Sequence, residues 1–466
     1  MAASHAMRGG RLAALAIAAL VAVSACGGGA SPSPSAVPSA PPAVTPAPTA
    51  TPAPATPAAT TLAPATLELW LGGILTTATP GSDSRKWVDQ QIERFKQAFP
   101  GSDVNITLLP ANNDQLAAQV QAAFAANNVP DLIMLYSGSY TLAYKSGFMP
   151  LNKYIDATPG FYDSMSLWEL SCDNYDCQNG QGVIYAVPSD AYSFLLYYNT
   201  ALFAKAGITK PPTTYDELYQ DCDKLNAQGI IPFAYGDRDG YTTVNLLVDN
   251  IASYWEPGDV QKFVAGELKF TDPKWVDALE PILALRTHDC VNKDASTLEQ
   301  LTSADLFTSE KAAIFQGQPQ FLPYFKPIYD KVVVTKDPRS GNGPLNSGVI
   351  GSSGDDWAIP AAAKHPDLAW ELIKLFSDET AGSQMSDLLG SPPCNLAAQA
   401  TIDDSHVQAA FDLIKTATVP EMDIVMSQAT ALFLYKHLQL AFAGQETAQE
   451  AMQAVQQFVD QNGGKP

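Results

Sequence analysis

The sequence predicts an α/β fold in which a mainly parallel sheet is covered by helices. Three apolar runs of strand length, residues 66–71, 104–109 and 131–135, alternate with two helical patterns at residues 87–99 and 115–126. Parallel strands that follow one another need crossover connections, and helical crossovers pack on the faces of the sheet. The chain has 466 residues, of which 46% are hydrophobic, so it is long enough for two or three domains and a large core.

The first strand has the clearest local pattern. Residues 66–71 alternate between polar and apolar side chains and run into Gly72 and Gly73. Ligands of such folds bind at the carboxyl ends of the strands. We therefore expect the loop after this strand to face a ligand, and Trp70 beside it is a candidate contact.

The stretch at residues 185–218 organises the middle of the chain. It opens with two short apolar runs, rich in aromatic residues, that suit strands and are separated by a polar segment. Thr200 is expected to cap a short helix, and Gly207 lies where a C-cap glycine belongs. Thr214 is expected to cap a longer helix.

The rest of the chain is mostly helical in pattern. A strand is expected at residues 231–237, where it opens into a polar loop, and another after the glycines of residues 351–354. Helices are expected at residues 215–226, 244–255, 275–285, 368–376, 385–389, 406–416, 426–442 and 445–458.

The charge of the chain is strongly acidic. There are 48 acidic and 27 basic residues, which gives a formal net charge of -21. Nucleic acids and anionic membrane surfaces both require a basic face, so neither is expected as a partner. Most of this charge is expected to make the surface soluble, and it favours a neutral or cationic ligand.

The first residues form a targeting segment. A positive start is followed by an apolar run too short to span a bilayer as a mature helix, and small residues precede Cys26. Residues 23–26 resemble a bacterial lipobox, which makes residues 1–25 a lipoprotein signal peptide and Cys26 the lipidated residue; the alternative is an ordinary secretory signal cleaved nearby. Residues 26–66 are rich in Pro, Ala, Ser and Thr and predict a disordered tether.

Five further cysteines predict two disulfides and one remaining thiol in an exported chain. Cys172 and Cys177 flank four residues and are expected to pair. The pairing among Cys222, Cys290 and Cys394 stays open, with Cys222–Cys290 as one choice. No metal-binding spacing such as CxxC or HExxH occurs, so neither a metal nor a cofactor is predicted.

Several sequence motifs together resemble those of one protein family. They are the crossover pattern of residues 185–218, VPDLIM at residues 129–134, the helix-to-strand phrase of residues 303–317, GSSGDDWAIP at residues 351–360, and the closing segment of residues 442–452. They are similar to family 1 extracellular solute-binding proteins, the maltodextrin-binding relatives that serve ABC sugar importers. The resemblance covers residues 67–458.

The resemblance implies a two-lobed periplasmic-binding-protein-like fold of type II. Each lobe would hold a mainly parallel sheet flanked by helices, and hinge crossovers would join the lobes. Lobe I would comprise residues 67–189 and 358–398, and lobe II residues 190–357 and 399–466.

The resemblance also implies a ligand site in the cleft between the lobes. Tyr136 follows the third strand and would contact the ligand; the alternative is an ordinary half-buried tyrosine at a strand end. Gln318 replaces the aromatic residue that relatives often carry after the glycine equivalent to Gly317. Trp357 would offer its face to a pyranose ring, while Asp355 or Asp356 would accept from sugar hydroxyls. The alternative for these last residues is a capping carboxylate and a hinge-packing Trp. The other candidate contacts are Asp190, Tyr192, Asp237 and Trp255, and a core role for Trp255 is the stronger alternative.

We therefore expect a monomeric, lipid-anchored receptor on the outer face of a bacterial membrane that binds a mono- or oligosaccharide and delivers it to an ABC permease. One alternative is a secreted glycoside hydrolase that uses Asp355 and Asp356. Adjacent residues of a strand point to opposite faces, however, so these two would not face one bond together. A second alternative is a binding protein for a non-sugar solute such as a polyol phosphate, which would want an arginine cluster that the sequence does not clearly show.

Overall fold

The computed structural model describes residues 62–165, 171–172, 182–399 and 404–466. The signal peptide, Cys26 and nearly all of the tether lie outside these residues. Cys177 does too, so its pairing with Cys172 stays a prediction. Residues 61–466 form one compact unit.

The order of elements in this unit follows the predicted alternation of strands and helices. The strands are β1 Thr66–Leu71, β2 Asp103–Leu108, β3 Leu132–Tyr136, β4 Ser171–Cys172, β5 Ile184–Pro188, β6 Ala191–Tyr192, β7 Leu195–Asn199, β8 Ile231–Ala234, β9 Ala312–Gly317, β10 Val332–Thr335, β11 Ile350–Ser353, β12 Asp355–Ala358 and β13 Val419–Pro420. The helices are α1 Asp83–Ala98, α2 Asn113–Ala125, α3 Ser139–Leu142, α4 Asn152–Asp156, α5 Phe161–Ser164, α6 Thr200–Lys205, α7 Tyr215–Ala227, α8 Tyr241–Ile251, α9 Asp259–Val264, α10 Pro273–Thr287, α11 Gln300–Thr308, α12 Pro366–Phe376, α13 Glu379–Leu389, α14 Ser405–Ile414, α15 Gln428–Phe442 and α16 Ala448–Gln461.

Helix caps explain where several of these elements begin. Thr214 caps α7 as predicted, because its hydroxyl accepts from the backbone N–H of Glu217. The prediction of Thr200 as the cap of α6 was wrong. The Asn199 side chain takes that role by accepting from two backbone N–H groups of the first turn, and Gly207 follows the helix with a positive φ of 72°.

The first sheet has six strands in the order β2-β1-β3-β12-β5-β4. Strand β1 is parallel to β2 and β3, as the β-α-β-α-β pattern predicts. Strand β12 is antiparallel to both β3 and β5. It begins with Asp355 opposite Tyr136, at the carboxyl end of β3, so the chain enters this lobe at that edge and must run back against β3.

The second sheet has the order β10-β7-β9-β8, and only β8 and β9 are parallel. The expectation of mainly parallel sheets therefore needs correction to sheets of mixed direction. Helical crossovers fix direction only between strands that they join directly, whereas strands that enter from the other lobe through longer connections are free to run either way.

A small third sheet joins the connections between the two larger sheets. Its order is β13-β11-β6, with Ser352 opposite Tyr192 and Ser353 opposite Ala191. The segment after β5 and the segment before β12 are thus paired with each other. This pairing places Asp190 beside Gly354, whose N–H donates to the Asp190 carbonyl at 2.8 Å.

Separate apolar cores lie around the two larger sheets. The core of the first sheet includes Trp87, Trp357 and Phe376, and the core of the second includes Trp255 and Trp275, all of them 0–1% exposed. Burial of such large side chains contributes about 1.5–3 kcal/mol each. Among the described residues, no helix has both the length and the apolar character needed to cross a bilayer.

A disulfide joins Cys222 in α7 to Cys290 after α10, with a Cα–Cα distance of 5.1 Å. It closes a loop in which the two cysteines are 68 residues apart. Replacing both with alanine is expected to lower the free energy of unfolding by about 2–4 kcal/mol, because the unfolded chain gains freedom. Chemical denaturation of the two proteins measures this, and equal midpoints would contradict it.

Candidate ligand-binding cleft

A cavity of about 690 Å³ lies between the first and second sheets. Its walls come from the carboxyl end of β3, from α3, from the two connections that meet in the small sheet, from the carboxyl end of β9, and from α8 and α15. This volume lies within the usual range of small-molecule sites.

The wall on the side of the first sheet carries two tyrosines. Tyr136 ends β3, and Tyr140 follows on α3, with ring centroids 5.9 Å apart and an interplanar angle of 62°. The turn between them is held by the Thr141 hydroxyl, which donates to the Tyr136 carbonyl at 2.7 Å. Both rings line the cavity together with Ser137 and Ile74.

The floor of the cavity is formed by Asp190, Gly354 and Asp355. The two aspartates are 1% and 0% exposed. Asp190 Oδ1 accepts from the backbone N–H of Asp355 at 3.1 Å, and Asp355 Oδ2 accepts from the N–H of Ile74 at 3.3 Å. The second oxygen of each carboxyl group, Asp190 Oδ2 and Asp355 Oδ1, has no hydrogen-bond partner.

These carboxyl groups titrate unusually because they are buried close together. Burial, together with the nearby Asp356 carboxylate, raises the pKa of Asp190 to about 8. Burial and the Asp190 charge raise the pKa of Asp355 well above its ordinary value. Burial and these two aspartates raise the pKa of the Tyr136 hydroxyl to about 12.

The wall on the side of the second sheet is built largely by one face of α15. Leu432, Tyr435, Lys436 and Gln439 line the cavity at the spacing of one helical face. Residues of the opposite face, such as Leu434, are buried in the core. The helix was predicted from its pattern, but its cavity face was not. The signal for that face was the series of polar and aromatic residues at i, i+3, i+4 and i+7.

Tyr241 completes this wall at the start of α8. Its ring meets Tyr435 edge to face, with centroids 6.0 Å apart, and its hydroxyl accepts from Gln318 Nε2 at 3.4 Å. The aromatic surface that Gln318 does not supply is therefore provided by tyrosines from two other elements. Gln320 and the exposed carboxyl of Asp239 also line the cavity.

Four of the predicted contacts line this cavity: Tyr136, Asp190, Gln318 and Asp355. Asp356 does not, because it points to the other face of β12, where it is buried and accepts from the Ser353 hydroxyl at 2.9 Å. Asp237 is also buried, and it accepts from the backbone N–H and the hydroxyl of Thr243. The neighbouring Asp239 reaches the cavity instead.

The predicted ligand contacts of three tryptophans need correction, because each side chain packs within the protein. Trp357 stacks on Phe376 with centroids 4.4 Å apart, and Trp255 meets Trp275 edge to face at 5.4 Å. Trp70 is half-buried against the apolar cluster of Leu109 and its neighbours. The side chain of Tyr192 lies outside the described set, so its role stays a prediction.

The comparisons with known proteins identify the family. The sequence profile of the bacterial extracellular solute-binding proteins matches residues 79–382, well over half of the chain. The chain belongs to this family. This solute-binding protein is 25% identical over 350 residues to an uncharacterised ABC transporter extracellular-binding protein of Pyrococcus horikoshii, a match that covers 73% of this chain and 75% of the relative.

Two further matches are narrower in sequence or concern the fold alone. The sn-glycerol-3-phosphate-binding periplasmic protein UgpB of Yersinia pestis is 29% identical over 148 residues, which is 31% of this solute-binding protein and 33% of UgpB. A solved structure of a chitin oligosaccharide binding protein superposes with a TM-score of 0.70 at 20% identity, over 85% of this chain and 98% of that one. The predicted two-lobed α/β binding-protein fold is confirmed.

The buried aspartates predict how stability depends on pH. Asp190 and Asp237, with pKa values raised to about 8 and about 7, hold protons in the folded state that the unfolded chain has released above a pH of about 4. The folded state therefore binds more protons between these limits, and stability falls as the pH rises. We expect the free energy of unfolding to fall by on the order of 1 kcal/mol per pH unit. The melting temperature should therefore be lower at pH 8 than at pH 5.

Groups with lowered pKa values do not cancel this trend in the same window. Glu217, for example, has its pKa lowered to about 2 by Lys210, so its contribution is lost only under more acidic conditions. The control is Asp190→Asn, which removes one titrating group and should reduce the slope. A melting temperature that stays level or rises from pH 5 to pH 8 would contradict the prediction.

Proposed function

We propose that this protein captures a mono- or oligosaccharide in the cleft between its lobes and delivers it to an ABC permease. The observation that carries this proposal is the combination of tyrosine rings on both walls with carboxyl and amide groups on the floor and the second wall. The C–H faces of a pyranose pack on aromatic rings, and its hydroxyls donate to carboxyl oxygens. The fold shared with a chitin oligosaccharide binding protein supports the same assignment.

The arrangement of carboxyl groups suits binding better than hydrolysis. Glycoside hydrolases place two carboxyl groups on either side of the bond that they cleave. Asp190 and Asp355 lie side by side on the floor, since the N–H of one donates to the carboxyl of the other. We therefore propose that the sugar leaves chemically unchanged.

A polyol phosphate is the second candidate, because the chain is similar to UgpB over 33% of the length of UgpB. Phosphate recognition relies on arginine, lysine and clustered N–H donors. Among the described residues that line the cavity, Lys436 is the only cationic side chain, and it is exposed. The floor offers carboxyl groups and no cationic donor for a phosphate, so we favour a sugar.

Delivery to a permease requires two states of the protein. The paired connections of the small sheet link the two larger sheets and could serve as the hinge on which the lobes close over the sugar. The predicted boundary at residue 357 would cut β12, which pairs with β3 and β5 of the first sheet. We therefore propose that lobe I comprises residues 67–189 and 355–398 and lobe II residues 190–354 and 399–466. We further propose that the protein is a monomer, held on the extracytoplasmic face of the membrane by lipid on Cys26.

The decisive experiment is a thermal-shift screen of residues 62–466 against a panel of mono- and oligosaccharides, with glycerol 3-phosphate included. A sugar present at about 100 times its Kd should stabilise the protein by about 2.7 kcal/mol. Chromatography of the same mixtures should recover the sugar intact. Stabilisation by glycerol 3-phosphate alone, or release of shorter sugars, would overturn the proposal.

A further inference from the structure

The two aspartates on the cavity floor have unused binding capacity. Each is at least 99% buried, and each has one oxygen that accepts from a backbone N–H and a second oxygen without a partner. A buried polar atom without a hydrogen bond costs about 1–3 kcal/mol, and more when it is charged. Both residues line the cavity, and a buried polar atom without a partner calls for an explanation such as a bound ion or ligand.

Two glycines leave room for these oxygens. A Cβ on Gly73 would lie 1.5 Å from Asp355 Oδ1, and a Cβ on Gly354 would lie 2.7 Å from Asp190 Oδ2. Real Cβ atoms do not approach other atoms so closely. The backbone therefore has to be bare at both positions for the carboxyl pair to occupy its place, which marks the pair as a built site.

Among the described residues that line the cavity, no cationic side chain lies on the floor. The one lysine, Lys436, is exposed on α15, on the wall of the second lobe. The other titratable groups around the floor are acidic or neutral: Asp356 behind β12, Tyr136 beside Asp355, Asp239 at the exposed side, and Glu421, which accepts from the Tyr241 hydroxyl at 3.5 Å. The cavity therefore favours a positive charge at its floor.

A neutral hydroxyl would supply one donor to the pair but would leave the negative potential uncompensated. A protonated amine supplies three donors and a positive charge, and its hydrogen bonds to carboxylates are roughly twice as strong as neutral ones. Tyr136, which lies opposite Asp355 in the sheet and lines the same cavity, adds an aromatic ring, and aromatic rings attract cations. A metal ion is less suited, because the described residues contain no group of three or more His, Cys, Asp or Glu side chains able to hold one.

Building on the proposed sugar-binding function, we propose that the ligand is a sugar with a protonated amino group, and that Asp190 and Asp355 bind this ammonium together. Binding of the amino sugar should then release a proton. In the empty cavity near neutral pH the crowded pair retains a proton, and the incoming ammonium, which keeps its own protons, takes over the neutralising role. The displaced proton passes to the buffer.

The test compares matched sugars that differ only at one carbon: glucosamine, glucose and N-acetylglucosamine, the corresponding galactose series, and the β-1,4-linked disaccharides of the glucose series. Calorimetry at pH 7 should show at least about tenfold tighter binding of the amino sugar within one of these sets, which corresponds to about 1.4 kcal/mol. Repeating the titration in two buffers with different ionisation enthalpies should reveal proton release with the amino sugar and none with the hydroxyl sugar.

Two variants assign the preference to the buried pair. Asp355→Asn should remove most of the amino-sugar preference and the proton release. Asp305→Asn is the matched control, because this exposed carboxyl on α11 does not line the cavity, and the variant should keep both. The proton release of the unmodified protein tests the inference even where Asp355→Asn does not fold.

The outcomes separate this inference from the proposed function. Equal affinity for amino, hydroxyl and acetylated sugars would overturn the amino-sugar inference and leave sugar binding intact. Preference for the amino sugar that persists in Asp355→Asn would overturn the role of the pair. Stabilisation by calcium chloride alone would assign the floor to a metal ion instead. Absence of binding by every sugar would overturn the proposed function and the inference with it.

Discussion

Replacing Trp357 with alanine is expected to lower the free energy of unfolding by about 3–5 kcal/mol, because the change leaves a large cavity in the core of the first lobe. The side chain is 0% exposed, stacks on Phe376 and belongs to the same cluster as Trp87 and Trp370. Chemical denaturation measures the loss. Ligand affinity of the fraction that stays folded should be nearly unchanged, since Trp357 does not line the cavity.

This expectation reverses the one that the sequence suggests, in which Trp357 stacks on the sugar and its loss weakens binding without unfolding the protein. Trp70→Ala is the control, since Trp70 also belongs to the first sheet but is only half-buried, and its loss should cost less. A Trp357→Ala protein of normal stability with greatly weakened sugar binding would show that the ring contacts the ligand after all.

Replacing Gly73 with alanine is expected to weaken ligand binding at least about 100-fold, or about 2.7 kcal/mol. The new methyl group would overlap Asp355 Oδ1, so the carboxyl group must leave its place on the floor. Gly73 also has a positive φ of 54°, which costs a non-glycine residue on the order of 1 kcal/mol. Calorimetry with the best sugar of the screen measures the affinity, and denaturation measures the smaller loss of stability.

Gly81→Ala separates the steric effect from the backbone effect. Gly81 also has a positive φ, of 93°, but a Cβ there would meet nothing within 4 Å. This variant should lose some stability and keep its affinity. Unchanged binding by Gly73→Ala would mean that the position of Asp355 on the floor is not needed for the ligand.

Parts of the site were predictable because they depend on chain direction. Tyr136 lies at the end of β3, Asp190 lies in the connection after β5, and Asp355 begins β12. The rule that ligands bind at strand ends and crossovers therefore places all three. The alternation of a strand also separates Asp355 from Asp356 correctly. These arguments need only local geometry.

Other parts of the site were not predictable, because identical residue types suit a core and a cleft equally well. Trp357 and Asp355 share one face of β12, yet two residues of strand advance the chain by about 6.6 Å, which moves the side chain from the cavity edge into the core. Conversely, Tyr435 lies in a helix of the final segment, far along the chain from Tyr241, and only packing brings their rings together.

The family resemblance, the alternation of strands and helices, and the segments at which the chain passes between the sheets could all be predicted from the amino-acid sequence. Periodicity, caps and turn residues act over short distances, so these features need no knowledge of packing. The tertiary structure decided the direction of the inserted strands, the burial of the tryptophans, and the meeting of Asp190 with Asp355. These outcomes depend on which distant segments share a surface, and residues 165 positions apart exchange a hydrogen bond there only once the whole unit has packed.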